Sequence, residues 1–178
     1  MESDWVEDVY RFWFESPERW FGTDAGFDAL IRGRYLELYE TLKREAPAAM
    51  SPRWSVAAVI VLDQFPRNMF RGTAQEFATD SQALSIARSA LADGADQLIR
   101  VDEKLFLYMP LMHSEDSANQ KRAVALFTEL DVPEVLKAAK EHQRVIDKFG
   151  RFPHRNKVLG RTSTPDEITY LENGLMTQ

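Results

Sequence analysis

Cysteine is absent from the 178 residues. That removes disulfides, thiolate metal sites and cysteine nucleophiles, and it agrees with a reducing compartment, so a cytoplasmic location is expected. Long apolar runs are missing as well. The longest uncharged one, Val56 to Leu62, falls far short of the roughly 20 residues a membrane-spanning helix needs, and no membrane partner is expected. The N-terminus carries Glu2, Asp4, Glu7 and Asp8 where a secretory leader would carry basic residues, so no leader is expected. An excess of positive charge is lacking too: 22 Lys and Arg stand against 28 Asp and Glu, for a net charge of −6, which argues against non-specific nucleic-acid binding. The eight glycines form no Gly-x-Ser-x-Gly, no phosphate-cradling loop and no dinucleotide fingerprint, so no cofactor is assigned.

What is present is helical patterning, in a chain of a length that suits one domain burying roughly 70% of its unfolded surface. Trp5, Val9, Phe12 and Trp13 share one face of a helix expected over Ser3 to Phe14, with acids in its first turns where the dipole favours them. A second helix, Phe27 to Glu45, has the stripe Phe27, Leu30, Ile31, Tyr35, Leu38 and Leu42. Ser51-Pro52 opens a third, apolar on every side from Val56 to Leu62 and therefore buried all round; Pro66 is expected to stop it, leaving Asp63 and Gln64 at a C-terminal end. A carboxylate there opposes the dipole and calls for a cation, Arg67 or Arg71.

Thr73 to Glu76 has capping-box spacing, and Asp80 is placed to cap a helix through Leu91 that Gly94 ends. Asp102 opens a short segment, Leu105 to Met109, that Pro110 interrupts. Ser114 is the expected N-cap of the following helix, with Glu115 and Asp116 in its first turn. Val135, Ala138, Ala139, His142, Val145, Ile146 and Phe149 repeat at i, i+3, i+4, i+7, which puts His142 on a buried face. Thr164-Pro165-Asp166-Glu167 combines a capping box with proline at the first helical position, and Gly174 follows that last helix. About eight helices with short connections favour antiparallel or stacked neighbours in an all-α domain over residues 1–178.

Within this acidic chain the stretch Phe149 to Thr162 is locally basic. It holds Arg151, His154, Arg155, Lys157 and Arg161 and no acid. An earlier stretch, Phe65 to Thr73, echoes it with Phe-Pro, Arg-Asn, Arg-Gly and Thr. Each copy follows an apolar helical run, so both are expected at helix ends.

LDQFPRNMFRGT (Leu62 to Thr73), YMPLMHSED (Tyr108 to Asp116) and FGRFPHRNKVLGRTSTPDE (Phe149 to Glu167), with the opening FWF of Phe12 to Phe14, closely resemble a bacterial family known only as a domain of unknown function, family 924. The resemblance spans nearly the whole chain. It implies an all-helical fold similar to tetratricopeptide-repeat proteins, and no reaction, cofactor or catalytic residue.

The candidate site residues fall into two groups. Arg67, Asn68, Arg71, Arg151, Arg155 and Asn156 offer forked or amide donors suited to carboxylate or phosphate, and either line an anion pocket or pair internally with acids such as Asp63 and Glu115 and with helix-end carbonyls. His113 and His154, with Asp63 or Glu115, are the candidates for general acid or base chemistry in a small hydrolase. The three histidines with Glu115 and Asp116 are also metal-ligand types, but no His-Glu-x-x-His is present and no metal site is assigned. The favoured expectation is one polar cleft, where the two Phe-Pro stretches meet the His113 segment, binding an anionic small molecule or an acidic peptide end. A purely structural interaction domain is the remaining alternative, and nothing in the pattern selects an oligomeric state.

Overall fold

A computed structural model describes residues 4–45 and 51–173. Helix accounts for 78% of the described residues, which hold no strand. The eight main helices are α1 (Asp4–Phe14), α2 (Ala25–Glu45), α3 (Pro52–Met69), α4 (Asp80–Ala92), α5 (Val101–Met112), α6 (Ser117–Leu130), α7 (Pro133–Phe149) and α8 (Pro165–Glu172). Ser3 and Gly174, expected at the start of the first helix and beyond the last, lie outside the described residues.

The chain forms two compact units. The first holds α1 to α4 and α5 up to Pro110; the second takes the last turn of α5, residues 72–74, and everything from α6 onward. The first unit is built around aromatic rings. Trp13, 1% exposed, meets Phe65 and Phe106 edge-on at 5.5 Å and stacks on Phe27 at 6.2 Å. Its carbonyl accepts a 2.8 Å bond from the Trp20 indole, so the turn after α1 is tied back onto the helix. Of the stripe expected on α2, Phe27, Ile31, Tyr35 and Leu42 are buried, while Leu30 faces solvent.

Helix α3 explains itself from both ends. The Ser51 hydroxyl caps it by accepting from the Trp54 N–H at 3.0 Å, and Pro52 sits in the first turn, where its missing N–H costs nothing. All residues from Trp54 to Pro66 are buried, as the unbroken apolar run requires. Pro66, however, does not stop the helix. The turn Ile60–Gln64 widens into a π-helix, in which the Phe65 N–H reaches the Ile60 carbonyl, and α-helix resumes over Phe65–Met69. Proline in a helix leaves the carbonyl four residues back without its donor. Here that carbonyl, Leu62 O, accepts a 2.6 Å bond from the hydroxyl of the fully buried Thr79. Asp63 and Gln64 are therefore mid-helix residues, not a helix end, and the first Phe-Pro is a helical segment.

Other local expectations also shift. Pro110 lies inside α5, and Thr73 to Glu76 leads only into the 3-10 turn Ala74–Phe77. Thr79, not Asp80, precedes α4, and its hydroxyl is spent on Leu62.

In the second unit α6 and α7 pack as a hairpin. Asp116 takes the cap expected of Ser114: its carboxylate accepts from the Asn119 N–H at 2.9 Å, while the Ser114 hydroxyl accepts from the Asp116 N–H and the Asn119 amide. Gly150 closes α7 at φ 67°, the left-handed geometry that favours glycine, with its N–H on the Ile146 carbonyl at 2.8 Å. The turn this allows delivers Phe152, 0% exposed, into a small core with Val145, Ile146 and Tyr170.

Candidate functional site

Each unit carries its own polar centre. In the first, Asp63 is fully buried and receives the Gln64 side-chain amide. Arg67 stands one turn on, 3.4 Å from the Asp63 carboxylate, and also donates to the Asp63 carbonyl. Its fork closes on Asp80 at 3.0 and 3.1 Å. Burial works against the Arg67 charge, and Asp63 and Asp80 outweigh it, so its pKa rises. Arg71 does not share this cluster. It forks onto Asp28 of α2 at 3.0 and 3.1 Å, and the Asn68 amide reaches the same carboxylate at 2.7 Å.

The second unit gathers Arg151, His154, Arg155, Asn156, Arg161, His113 and Glu115. Arg151 forks onto Glu167 of α8 at 2.6 and 2.8 Å and donates to the Thr162 carbonyl at 2.9 Å. The Asn156 amide bridges Glu167 and the Ser163 hydroxyl at 3.2 and 3.1 Å. Glu167 is at once the capping-box partner of Thr164, whose N–H it accepts at 2.7 Å. The Arg151 hydrogen bonds, reinforced by that backbone N–H, pull its pKa down to about 2 against the opposing effect of burial.

Glu115, expected in the first turn of a helix, instead precedes α6 and holds the basic loop. It accepts from the Phe152 N–H at 2.8 Å and from both ends of the Arg161 fork at 2.7 and 3.0 Å, and Arg161 also donates to the Phe152 carbonyl at 3.0 Å. Burial would raise its pKa, but the Arg161 and Phe152 hydrogen bonds win and keep the carboxylate charged.

Phe152 is the hub of what remains. The Arg155 guanidinium lies 4.5 Å from its ring centre, the His142 ring meets it edge-on at 5.3 Å, and His154 lies at 5.6 Å. His113 stands 6.3 Å from His142. Arg155 is only 7% exposed, which is rare for an arginine. His142 is hydrogen-bonded as its stripe predicts, through Nδ1 to the Ala138 carbonyl at 2.9 Å, though it is half-buried and not enclosed. Burial first, then the charges of His113, Arg155 and His154, push its pKa down to about 3 in spite of that bond.

His113 is fixed by a residue the sequence did not single out. Gln120, fully buried on α6, donates its amide to both carbonyls flanking His113, Met112 O and Ser114 O, each at 2.6 Å. Phe152 also went unrecognised, as did Asp28, whose partners Asn68 and Arg71 lie far along the chain; Asp80 and Glu167 were visible only as caps. Among the described residues, no group of three or more histidine, aspartate or glutamate side chains is arranged to hold a metal ion. No helix among them is long and apolar enough to cross a membrane.

These features define an all-α protein whose arginines hold its loops in ion pairs, with His142 and His154 beside one buried phenylalanine and His113 beside His142. Its family is established: residues 9–174 match the family described as bacterial protein of unknown function (DUF924), and the chain belongs to it. It is similar to the solved structure of a protein of unknown function, ATU0120, from Agrobacterium tumefaciens, at 40% identity over 96% of this chain and 98% of that one, with a TM-score of 0.90. A search of curated proteins finds no match.

Proposed function

We propose that the second unit binds an anionic small molecule, or the acidic end of a peptide, beside Phe152, with Arg155 as the principal anchor and His113 and His154 as further donors. The supporting observation is the burial of Arg155, 7% exposed, with its guanidinium 4.5 Å from the Phe152 ring centre and His154 beside the same ring. A buried guanidinium stacked on an aromatic ring is pre-organised for a forked oxyanion, because little side-chain freedom remains to be lost. In this reading Arg151 and Asn156 hold the loop through Glu167, and Arg67, Asn68 and Arg71 clamp helices of the first unit. The cytoplasmic location expected from composition belongs to the same reading. A hydrolase has weaker support, since Glu115 and Asp63 are each engaged by an arginine.

Calorimetric titration with inorganic phosphate and with citrate tests the reading on wild type and Arg155→Ala, with melting curves on both. The expected result is heat of binding in the wild type and at least a tenfold loss in a folded Arg155→Ala, the size of one charge-assisted contact. A variant that only melts earlier, alongside a wild type that binds neither anion, makes Arg155 a structural clamp and overturns the proposal.

A further inference from the structure

The anion centre beside Phe152 contains one side chain of opposite hydrogen-bonding character, and this gives the site a chemical selectivity. His142 sits among His113, His154 and Arg155, which are donors when charged. A backbone carbonyl can only accept, so the 2.9 Å bond between His142 Nδ1 and Ala138 O places the ring proton on Nδ1. Nε2 then carries a lone pair that can only accept. The ring is half-buried, not sealed in the core, and it is held by its edge-on packing on Phe152. Protonating Nε2 to reverse its role would put a further positive charge beside Arg155 and two histidines, which is why the imidazole stays neutral.

We infer that the site selects oxyanions that also carry an O–H group, with His142 Nε2 accepting that hydroxyl proton while Arg155 and its neighbours take the charged oxygens. The ligand class is a hydrogen phosphate or phosphate monoester retaining a proton, or a hydroxyl-bearing carboxylate. A fully deprotonated oxyanion of the same shape would set oxygen lone pairs against the Nε2 lone pair, an unmade contact at a partly desolvated site. The inference rests on the proposed anion site and adds its specificity.

Phosphate and sulfate make the test, being tetrahedral anions of similar size of which only phosphate keeps a proton near neutral pH. Wild-type protein titrated with each is expected to prefer phosphate by about tenfold, one hydrogen bond's worth. His142→Phe keeps a ring against Phe152 and removes the acceptor; it is expected to bind the two anions equally. Nitrogen NMR of the wild-type imidazole gives a reading that needs no variant: the Nε2 resonance moves on adding phosphate and stays put on adding sulfate. Equal affinity for both anions in the wild type, a phosphate preference that survives in His142→Phe, or an Nε2 resonance indifferent to phosphate overturns the selectivity and leaves the anion site standing. Binding of neither anion removes the underlying site itself.

Discussion

Gln120 grips the backbone on both sides of His113, its amide donating to the Met112 and Ser114 carbonyls at 2.6 Å each from a fully buried position. Helix α5 ends at Met112 and α6 begins at Ser117, so the Met112 and Ser114 carbonyls lie at and beyond a helix end, where helical N–H donors run out. One side chain supplies both. That turns a loop residue into one whose orientation is set by the core.

Replacing Gln120 with leucine keeps the volume and strands both carbonyls. The expected cost is about 2–4 kcal/mol, from the desolvation penalty of two unmet acceptors, read as a shift in the urea midpoint. Gln120→Glu is expected to be worse at neutral pH, because carboxylate oxygens would face carbonyl oxygens, and to recover partly in acid as the carboxyl gains a proton to donate. A glutamate variant as stable as wild type at neutral pH would show that the two bonds carry no weight.

The Thr79 hydroxyl does for Pro66 what a backbone N–H does elsewhere. Thr79→Val preserves shape and leaves Leu62 O buried without its donor, so a loss of about 1–3 kcal/mol in unfolding free energy is expected. The same substitution at Thr169, whose hydroxyl bonds its own helix on an exposed face, is expected to be close to neutral. Equal effects at the two positions would mean that the proline needs no compensation.

These two contacts also mark where the sequence was readable. Caps are local, and the Ser51 and Thr164 caps with Pro52 and Pro165 appear atom for atom as their spacing implies. The pairing of Asp63 with Arg67, one turn away, was anticipated, though from a helix end that the π-turn carries past. The persistence of α3 through Pro66 was not, because it depends on a π-turn and on Thr79, which belongs to the next helix. Likewise the basic character of Phe149 to Thr162 was plain, whereas the pairing of Arg161 with Glu115 and of Arg151 with Glu167 comes from tertiary packing that no local pattern encodes. Leu30 was misassigned to the core because an apolar residue at a stripe edge reads the same whether or not a neighbour covers it.

Glu167 ties acid stability to the basic loop. Its folded pKa, about 2, lies below the ordinary carboxylate value of 4.5 because Arg151 and the Thr164 N–H hold the charged form. A depressed carboxylate contributes stability that is present above its unfolded pKa and is lost as pH falls toward the folded one. Melting temperature is therefore expected to fall between about pH 4.5 and 2 by more in wild type than in Glu167→Gln, which keeps the capping geometry and removes the charge. Parallel melting profiles over that range would detach Glu167 from the acid response.

His142 adds a second acid-labile element of a different kind. Its folded pKa is pushed from 6.5 down to about 3 by burial and by the charges of His113, Arg155 and His154. Between those values the unfolded chain binds a proton that the folded chain refuses. The stability this residue supports is thus complete above about pH 6.5 and drains as pH falls toward 3. Two measurements follow. Proton NMR of the imidazole C–H groups is expected to show no titration of His142 between pH 5 and 8, since it remains neutral throughout. His142→Phe, which cannot take up a proton in either state, is expected to flatten the fall of unfolding free energy between pH 6.5 and 4.5, above the window where Glu167 acts. The cationic neighbours provide the internal check: Arg155→Ala removes one of the charges opposing protonation and is expected to move the His142 pKa upward. A His142 resonance that titrates near its ordinary value would mean that neither burial nor these three charges act on the ring.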